Sequence, residues 1–226
     1  MLHLNKKIKA LLFDLDGTLV DTMPLHFIAW KISIKKLYGI TIKKEDFYPL
    51  EGIKLKKIAP IILKKYGFDT SIINYKELIL LKEKTYLESY KLKFYPSVIS
   101  CIKKIKQNKI KLGIVTSGLR KRLIKSIPKK FLENFDVIVT GDDSSEGKPS
   151  KQPFYIAMKK LKLSHDECIV VENAPLGVKS AKNAKMFCFA ITSTLGRKYL
   201  KEADVIVPDF KTFYECLLRI LKNEKK

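Results

Sequence analysis

Two aspartates that follow a short apolar run are the residues of this sequence best suited to chemistry. In LLFDLDGTLVDT, which spans 11–22, Asp14 and Asp16 come directly after apolar side chains. Because burial of a carboxylate costs free energy and a second like charge raises that cost, such a pair needs a cation or a chemical role. Alternate residues of an extended segment share a face, which predicts that both carboxylates reach one place. There they can act as a nucleophile and a general acid/base, or more simply as caps of the turn that follows.

The elements that must position these aspartates alternate between apolar runs and helical patterns. The run at 8–14 predicts a buried strand, and five further apolar runs alternate with helical patterns after residue 94. Apolar strands separated by helices predict a parallel sheet covered on both faces. Between Asp21 and about Tyr90 the apolar residues keep helical spacing throughout. We therefore predict an α/β core domain at 1–19 and 92–226, interrupted by an all-helical insert at 20–91.

The predicted strand ends carry further polar residues at the edge where open α/β sheets bind ligands. Besides the two aspartates, these are Thr116, Ser117, Lys148, Glu172 and Asn173. Mg²⁺ prefers hard oxygen ligands and keeps waters and phosphate oxygens as partners, for which Asp14 and Asn173 are suitable donors. Thr116 and Lys148 can bind phosphoryl oxygens and offset charge in the transition state. The sequence therefore predicts a site that holds Mg²⁺ and a phosphate together, with Asp14 forming an aspartyl phosphate.

Several of these residues also have simpler explanations. Thr116 and Ser117 precede a helix predicted to begin near Leu119, so we expect them to cap that helix as well as to bind phosphate. Lys148 is one lysine among many and is distinguished only by its place before a proline. Glu172 is expected either to bind the metal directly or to orient the groups that do.

The basic composition does not predict a nucleic-acid partner. Formal net charge is +22, but only four residues are arginine, and the lysines are dispersed over nearly every segment. Nucleic-acid readers favour arginine for bidentate contacts and for stacking, so this excess predicts no specific nucleic-acid binding. A general attraction for small anionic molecules is expected instead.

The hydrophobic pattern and the cysteines predict a cytoplasmic protein without a membrane partner. Apolar residues make up 46% of the chain, yet no window reaches the roughly 18 uncharged apolar residues of a membrane span. The apolar run near the N-terminus is interrupted by the two aspartates and lacks a small-residue cleavage site, so we expect no export signal. The four widely spaced cysteines form no C-x-x-C pair, as is typical of buried free thiols in a reducing compartment.

Four motifs of this sequence resemble those of the haloacid dehalogenase-like phosphohydrolase superfamily. They are, in order, FDLDGTLVDT, IVTSG, GKP and VVENAPLGVKSAKNA, and the resemblance spans nearly the whole chain. It implies a Rossmann-like parallel sheet core with the helical insert as a cap domain, and Mg²⁺ as cofactor. Asp14 would be nucleophile and metal ligand, whereas Asp16 would be the acid/base whose backbone carbonyl also meets the metal. True dehalogenases lack the second aspartate, so Asp16 implies phosphoryl transfer.

The cap segment DTMPLHFIAWK is similar to the β-phosphoglucomutase and sugar-phosphatase branch. This similarity implies that Thr22, His26 and Trp30 face the substrate from the cap, and KEKTY places Lys82 where that branch has a cap lysine. The residues themselves allow other roles. His26 and Trp30 are four apart on one helical face and could pack between cap helices, while Lys82 could be a solvated helix lysine.

Two departures from the branch bear on function. Leu55 stands where the mutases carry an arginine that grips a second phosphate, and Asn173 stands where the commoner pattern has aspartate. We therefore predict a Mg²⁺-dependent phosphatase for a small phosphorylated metabolite, such as a sugar phosphate or phosphoglycolate. We expect the protein to be a monomer or weak homodimer. The alternatives are a β-phosphoglucomutase and a non-catalytic module that binds a phosphorylated ligand.

Overall fold

The computed structural model describes residues 7–223, so the ends of the predicted core domain at 1–6 and 224–226 lie outside the described residues. The strands are β1 (Ala10–Phe13), β2 (Lys111–Val115), β3 (Val137–Val139), β4 (Cys168–Glu172), β5 (Phe187–Ile191) and β6 (Val205–Val207). The helices are α1 (Met23–Tyr38), α2 (Lys44–Phe47), α3 (Leu55–Lys64), α4 (Tyr75–Glu88), α5 (Val98–Gln107), α6 (Arg120–Ser126), α7 (Lys129–Leu132), α8 (Gln152–Leu161), α9 (Pro175–Asn183) and α10 (Phe210–Asn223).

The strands form one parallel sheet in the order β3-β2-β1-β4-β5-β6, which confirms the predicted α/β fold class. β1 lies between β2 and β4, with Phe13 opposite Ile114 on one side and opposite Val171 on the other. In this register the chain leaves three neighbouring strands at the same edge. The sequence did not predict the short helices α2 and α7, each of only four residues.

Each face of the sheet has its own apolar cluster, because alternate side chains of a strand point to opposite faces. Phe13 and Phe189 lie in the cluster that α5, α6 and α10 cover, where Phe13 stacks on Phe210 with ring centroids 5.8 Å apart. Leu12 and Val170 lie in the opposite cluster, which α8 and α9 cover. Burial on both faces explains why the strands are continuously apolar in the sequence.

Helices α1 to α4 form a third apolar cluster that includes Trp30, Ile34 and Ile62. The two segments that join this insert to the core run beside each other, since Val20 forms a β-bridge with Phe94. A separate cluster favours the predicted division into core and cap, which stays a prediction.

Two further features of the described residues concern their helices and their cysteines. No helix among residues 7–223 is long and apolar enough to cross a membrane. All four cysteines are free, and Cys101, Cys168 and Cys188 are buried.

Candidate active site

The carboxyl ends of three neighbouring strands place predicted site residues side by side. Asp14 follows β1, Thr116 follows β2 and Asn173 follows β4, and all three are buried. The backbone N–H of Asp14 donates to the carbonyl of Val171, and that of Thr116 donates to the carbonyl of Val139, both at 2.9 Å. These bonds continue the sheet by one residue, so the side chains of Asp14 and Thr116 start from fixed backbone positions.

Lys148 joins the two strand ends that carry acids. Its Nζ lies 2.5 Å from Oδ1 of Asp14 and 2.6 Å from Oε1 of Glu172, and it also donates to the carbonyl of Val115 at 3.1 Å. Burial disfavours the ammonium, but the carboxylates of Asp14 and Glu172 outweigh it and raise the pKa of Lys148 above its ordinary value. Burial also raises the pKa of Asp14, although the Lys148 charge opposes that rise. Lys148 is therefore a permanent cation beside the predicted nucleophile.

Glu172 has both carboxylate oxygens engaged. Oε1 accepts from Lys148, while Oε2 accepts from the backbone N–H groups of Asn173 at 2.8 Å and Ala174 at 3.0 Å. Gly177 in α9 leaves the space that this carboxylate fills, because a Cβ there would lie 1.8 Å from Oε1. This bonding favours the orienting role for Glu172 over direct metal binding.

Asn173 contacts both the core and the insert. Its Oδ1 accepts from Oγ1 of Thr18 at 2.9 Å, and its Nδ2 donates to both oxygens of Glu51, each at 3.0 Å, and to Oγ1 of Thr194 at 2.9 Å. Gly17, with φ 88°, permits this approach, since a Cβ there would lie 2.1 Å from Nδ2. Sequence reasoning missed Glu51, whose only signal was its place in EGIKLKK, the segment that carries the departure at residue 55.

Asp16 lies among groups that stabilise its ionised form. Thr22 Oγ1 donates to Oδ1 at 2.7 Å, His26 Nε2 lies 3.1 Å from the same oxygen outside hydrogen-bond angles, and Arg122 donates to Oδ2 at 3.2 Å. Burial opposes ionisation, but the charge of Arg122 and the hydrogen bond from Thr22 outweigh it and hold the pKa of Asp16 well below its usual range. Thr22 and His26, which the resemblance placed facing the substrate, therefore lie beside the predicted acid/base Asp16.

Lys82 and His26 form a buried pair behind Asp16. Lys82 Nζ lies 3.1 Å from His26 Nδ1 and 2.8 Å from Oε1 of Glu83, and its side chain is fully buried, which excludes the solvated alternative. The His26 ring stacks on Tyr86 with centroids 4.3 Å apart. Burial and the neighbouring Lys82 lower the pKa of His26 to about 4, and burial with Arg122 lowers that of Lys82 to about 8. His26 is therefore neutral near pH 7.

Arg122 is the second residue that sequence reasoning missed. It lies in α6, is 6% exposed, and donates to Oε1 of Glu83 at 3.1 Å as well as to Asp16. Only four arginines occur in this lysine-rich chain, and that rarity close after the second motif was the available signal.

The predicted capping role of Thr116 and Ser117 is wrong. Helix α6 begins after Leu119, and neither hydroxyl caps it. Thr116 Oγ1 instead accepts from the backbone N–H two residues later at 3.0 Å, and Ser117 Oγ donates to the carbonyl of Gly52 in the insert. Both residues line the pocket described next, where their binding of phosphate stays a prediction.

A small cavity of about 50 Å³ lies between the sheet edge and the insert. Its polar lining includes Asp14, Asp16, His26, Lys82, Thr116 and Arg122, and its apolar wall is Met23, Trp30, Phe47, Ile53, Leu55 and Ile58. Trp30 thus both packs in the third apolar cluster and faces the cavity, so neither of its expected roles excludes the other.

The donor set at the sheet edge fits Mg²⁺. Among the described residues, hydrogen bonds to the Asp14 side chain reach only Oδ1, which leaves Oδ2 for a ligand. No group of three or more His, Cys, Asp or Glu within residues 7–223 could hold a metal by itself. A hard cation that takes one carboxylate, carbonyl oxygens, waters and phosphate oxygens does not require such a group.

Comparison with known proteins places these features in a family. The family described as haloacid dehalogenase-like hydrolase matches residues 11–191. The chain is 30% identical over 220 residues to pyrophosphatase PpaX of Bacillus cereus, covering 96% of this chain and 98% of that protein. It is 29% identical over 178 residues to a phosphorylated carbohydrates phosphatase of Thermotoga maritima, covering 78% and 82%. The solved beta-phosphoglucomutase of Clostridium difficile shares the fold, with a TM-score of 0.82 at 24% identity over 96% of this chain and 98% of that one.

Proposed function

The chain belongs to the haloacid dehalogenase-like hydrolase family, and we propose that it is a Mg²⁺-dependent phosphatase that hydrolyses a small phosphate monoester. The observation that carries this proposal is the contact between Lys148 and Asp14 at 2.5 Å, with Asp16 after the same strand. A carboxylate next to a fixed ammonium can approach a phosphoryl group whose negative charge that ammonium offsets.

The proposed reaction has two steps that use the same two aspartates. Asp14 attacks phosphorus, the bond from phosphorus to the leaving oxygen breaks, and Asp16 delivers a proton to that oxygen. Water then attacks the aspartyl phosphate, Asp16 takes its proton, and the bond from phosphorus to Asp14 breaks to release inorganic phosphate. Because Arg122 and Thr22 favour the ionised form of Asp16, the first step requires that these contacts weaken when substrate is bound.

The metal would be held by the Asp14 carboxylate, the backbone carbonyl of Asp16 and the amide oxygen of Asn173. When bound, Mg²⁺ supplies positive charge that reduces repulsion between Asp14 and the phosphoryl oxygens. Lys148 remains the protein's own cation at this place, and Glu172 orients it.

The substrate proposal is a small phosphorylated carbohydrate or phosphoglycolate. Leu55 lies in the cavity wall at the position where the mutases are expected to carry an arginine. The neighbouring Lys54 does not replace it, since its Nζ donates to carbonyls of Gly141 and Ser144 in the core. This arrangement favours hydrolysis over transfer between two phosphorylated positions of a sugar.

Phosphate release tests the function. Sugar phosphates, phosphoglycolate and a nitrophenyl ester are incubated with Mg²⁺ or with chelator. We expect Mg²⁺-dependent release that Asp14→Asn abolishes and that the exposed control Asp69→Asn retains, with both variants folded by circular dichroism. Undiminished release by Asp14→Asn would contradict the mechanism. Conversion of β-glucose 1-phosphate only in the presence of a sugar bisphosphate would instead identify a mutase.

The cysteines and the charge distribution support proposals for the compartment and the partners. The free cysteines are those expected in a reducing compartment, which supports the cytoplasm. The dispersed lysines support a small phosphorylated metabolite as partner and no specific nucleic acid. A monomer or weak homodimer stays a prediction.

A further inference from the structure

Glu51 is a buried carboxylate that the insert places against the core beside the proposed metal site. It lies between the short turn that ends at Leu50 and the start of α3, and it is 7% exposed. Both of its oxygens accept from Nδ2 of Asn173 at 3.0 Å. The insert therefore contacts a predicted metal ligand directly, through a residue that none of the four motifs contains.

No cation among the described residues neutralises Glu51. Within residues 7–223 it forms no salt bridge, and the charges that act on it most strongly are those of Asp14, Glu172 and Asp16, which are all carboxylates. A buried carboxylate in such surroundings is costly unless a cation reaches it.

The charges at this edge leave room for one divalent cation. Three acids lie at this edge, and among the described residues Lys148 is the one ammonium that contacts any of them, through Asp14 and Glu172 but not Glu51. With Asp14, Glu172 and Glu51 ionised, two negative charges remain uncompensated. Asp16 does not enter this count because Arg122 and Lys82 together balance Asp16 and Glu83.

The presence of asparagine rather than aspartate at position 173 agrees with this count of negative charges. An aspartate there would place a second carboxylate about 3 Å from Glu51 and would raise the uncompensated charge to three, whereas the amide of Asn173 donates to Glu51. Glu51 and Asn173 together therefore provide the one negative charge that an aspartate at position 173 would otherwise provide.

Further contacts fix the loop that carries Glu51. The carbonyl of Gly52 accepts from Oγ of Ser117, and Nζ of Lys54 donates to the carbonyl of Gly141 at 3.3 Å and to that of Ser144. A Cβ at Gly52 would lie 3.1 Å from Cδ of Lys148, so the loop packs closely on that lysine. The backbone that directly follows Glu51 is therefore fixed against the core.

We propose that Glu51 supplies to the Mg²⁺ site the negative charge that Asn173 lacks, so that the insert contributes to metal binding. The proposal rests on the proposed function for the presence of the metal site, but it concerns metal affinity rather than turnover. Glu51 need not bind the metal itself, because its negative charge can act on the metal across space or through a bound water.

The experiment measures Mg²⁺ affinity by isothermal titration calorimetry on the full chain without substrate. Glu51→Gln keeps the shape of the side chain and removes its charge, and we expect it to weaken Mg²⁺ binding by about ten- to a hundredfold. Glu45→Gln makes the same change at an exposed position of the insert and should bind as the wild type does. Circular dichroism and thermal unfolding establish that each variant is folded.

A charge exchange gives a second, independent test. The double variant Glu51→Gln, Asn173→Asp moves the carboxylate from the insert to the core and should recover most of the lost affinity. The proposal is overturned if Glu51→Gln binds Mg²⁺ as tightly as the wild type, or if the double variant stays as weak as Glu51→Gln. Wild-type protein that binds Mg²⁺ but hydrolyses no monoester would overturn the proposed function alone.

Discussion

The guanidinium of Arg122 lies 3.2 Å from Oδ2 of Asp16, although 106 residues separate the two in the chain. The same guanidinium donates to Oε1 of Glu83 in α4 at 3.1 Å. One arginine of the core therefore bridges the predicted acid/base and an acid of the insert, and Lys82 supplies the second positive charge beside Glu83. The protonation of Asp16 is coupled to the position of α4 through this contact.

Arg122→Met should destabilise the protein, because it leaves the largely buried Asp16 without a cation and Glu83 with Lys82 alone. The expected loss is about 3–5 kcal/mol near neutral pH. Arg122 favours ionised Asp16, so its contribution is present above the ordinary pKa of an aspartate and declines as pH falls below about 4. Urea unfolding at several pH values should show the gap from wild type narrowing in acid. Arg120→Met, at a half-exposed position of the same helix, should cost no more than about 1 kcal/mol; equal losses for the two variants would contradict the assignment.

Lys148→Met should both remove activity and make stability depend more strongly on Mg²⁺. Loss of a cation that stabilises transition-state charge typically costs about a hundred- to a thousandfold in kcat. The carboxylates of Asp14 and Glu172 then lack an ammonium, so addition of Mg²⁺ should raise Tm more in the variant than in the wild type. Thermal unfolding with Mg²⁺ and with chelator checks this, and the exposed Lys151→Met is the control. A Tm response equal to that of the wild type would show that Lys148 does not balance these acids.

The pH dependence of stability should reveal His26. Burial and Lys82 lower the pKa of His26 to about 4 from its ordinary 6.5. The unfolded chain therefore binds more protons between these values, and stability should rise with pH across this window by up to about 3 kcal/mol from this residue. His26→Gln should flatten the rise, whereas His165→Gln, at an exposed position, should retain it. A slope unchanged in His26→Gln would show that the imidazole is not held neutral.

Gly177→Ala should displace Glu172 from Lys148. The added Cβ would lie 1.8 Å from Oε1 and 2.0 Å from Cδ of Glu172, too close for any real contact. We expect a loss of stability of about 1–3 kcal/mol from overpacking, together with reduced phosphate release. Gly196→Ala has no neighbour within 4 Å of its new Cβ and should leave both unchanged. Full activity of Gly177→Ala would show that Lys148 does not need its contact with Glu172 for phosphate release.

The sequence by itself determined the architecture and one edge of the site. Continuous apolar runs separated by helical patterns predicted a parallel sheet, because only strands buried on both faces are apolar throughout. Asp14, Thr116 and Asn173 each follow such a run, and parallel strands leave their carboxyl ends on one side. These are local signals, so they are present in the chain before it folds.

Only the tertiary structure decided which charged groups pair across that edge. Lys82 looks like any other lysine of a basic helix, and its burial depends on how α4 packs against α1. Arg122 meets Asp16 and Glu51 meets Asn173 over separations of 106 and 122 residues, which no local pattern encodes. The cost of burying a charge, and the partner that offsets it, depend on neighbours in space, and those neighbours exist only once the insert has packed on the core.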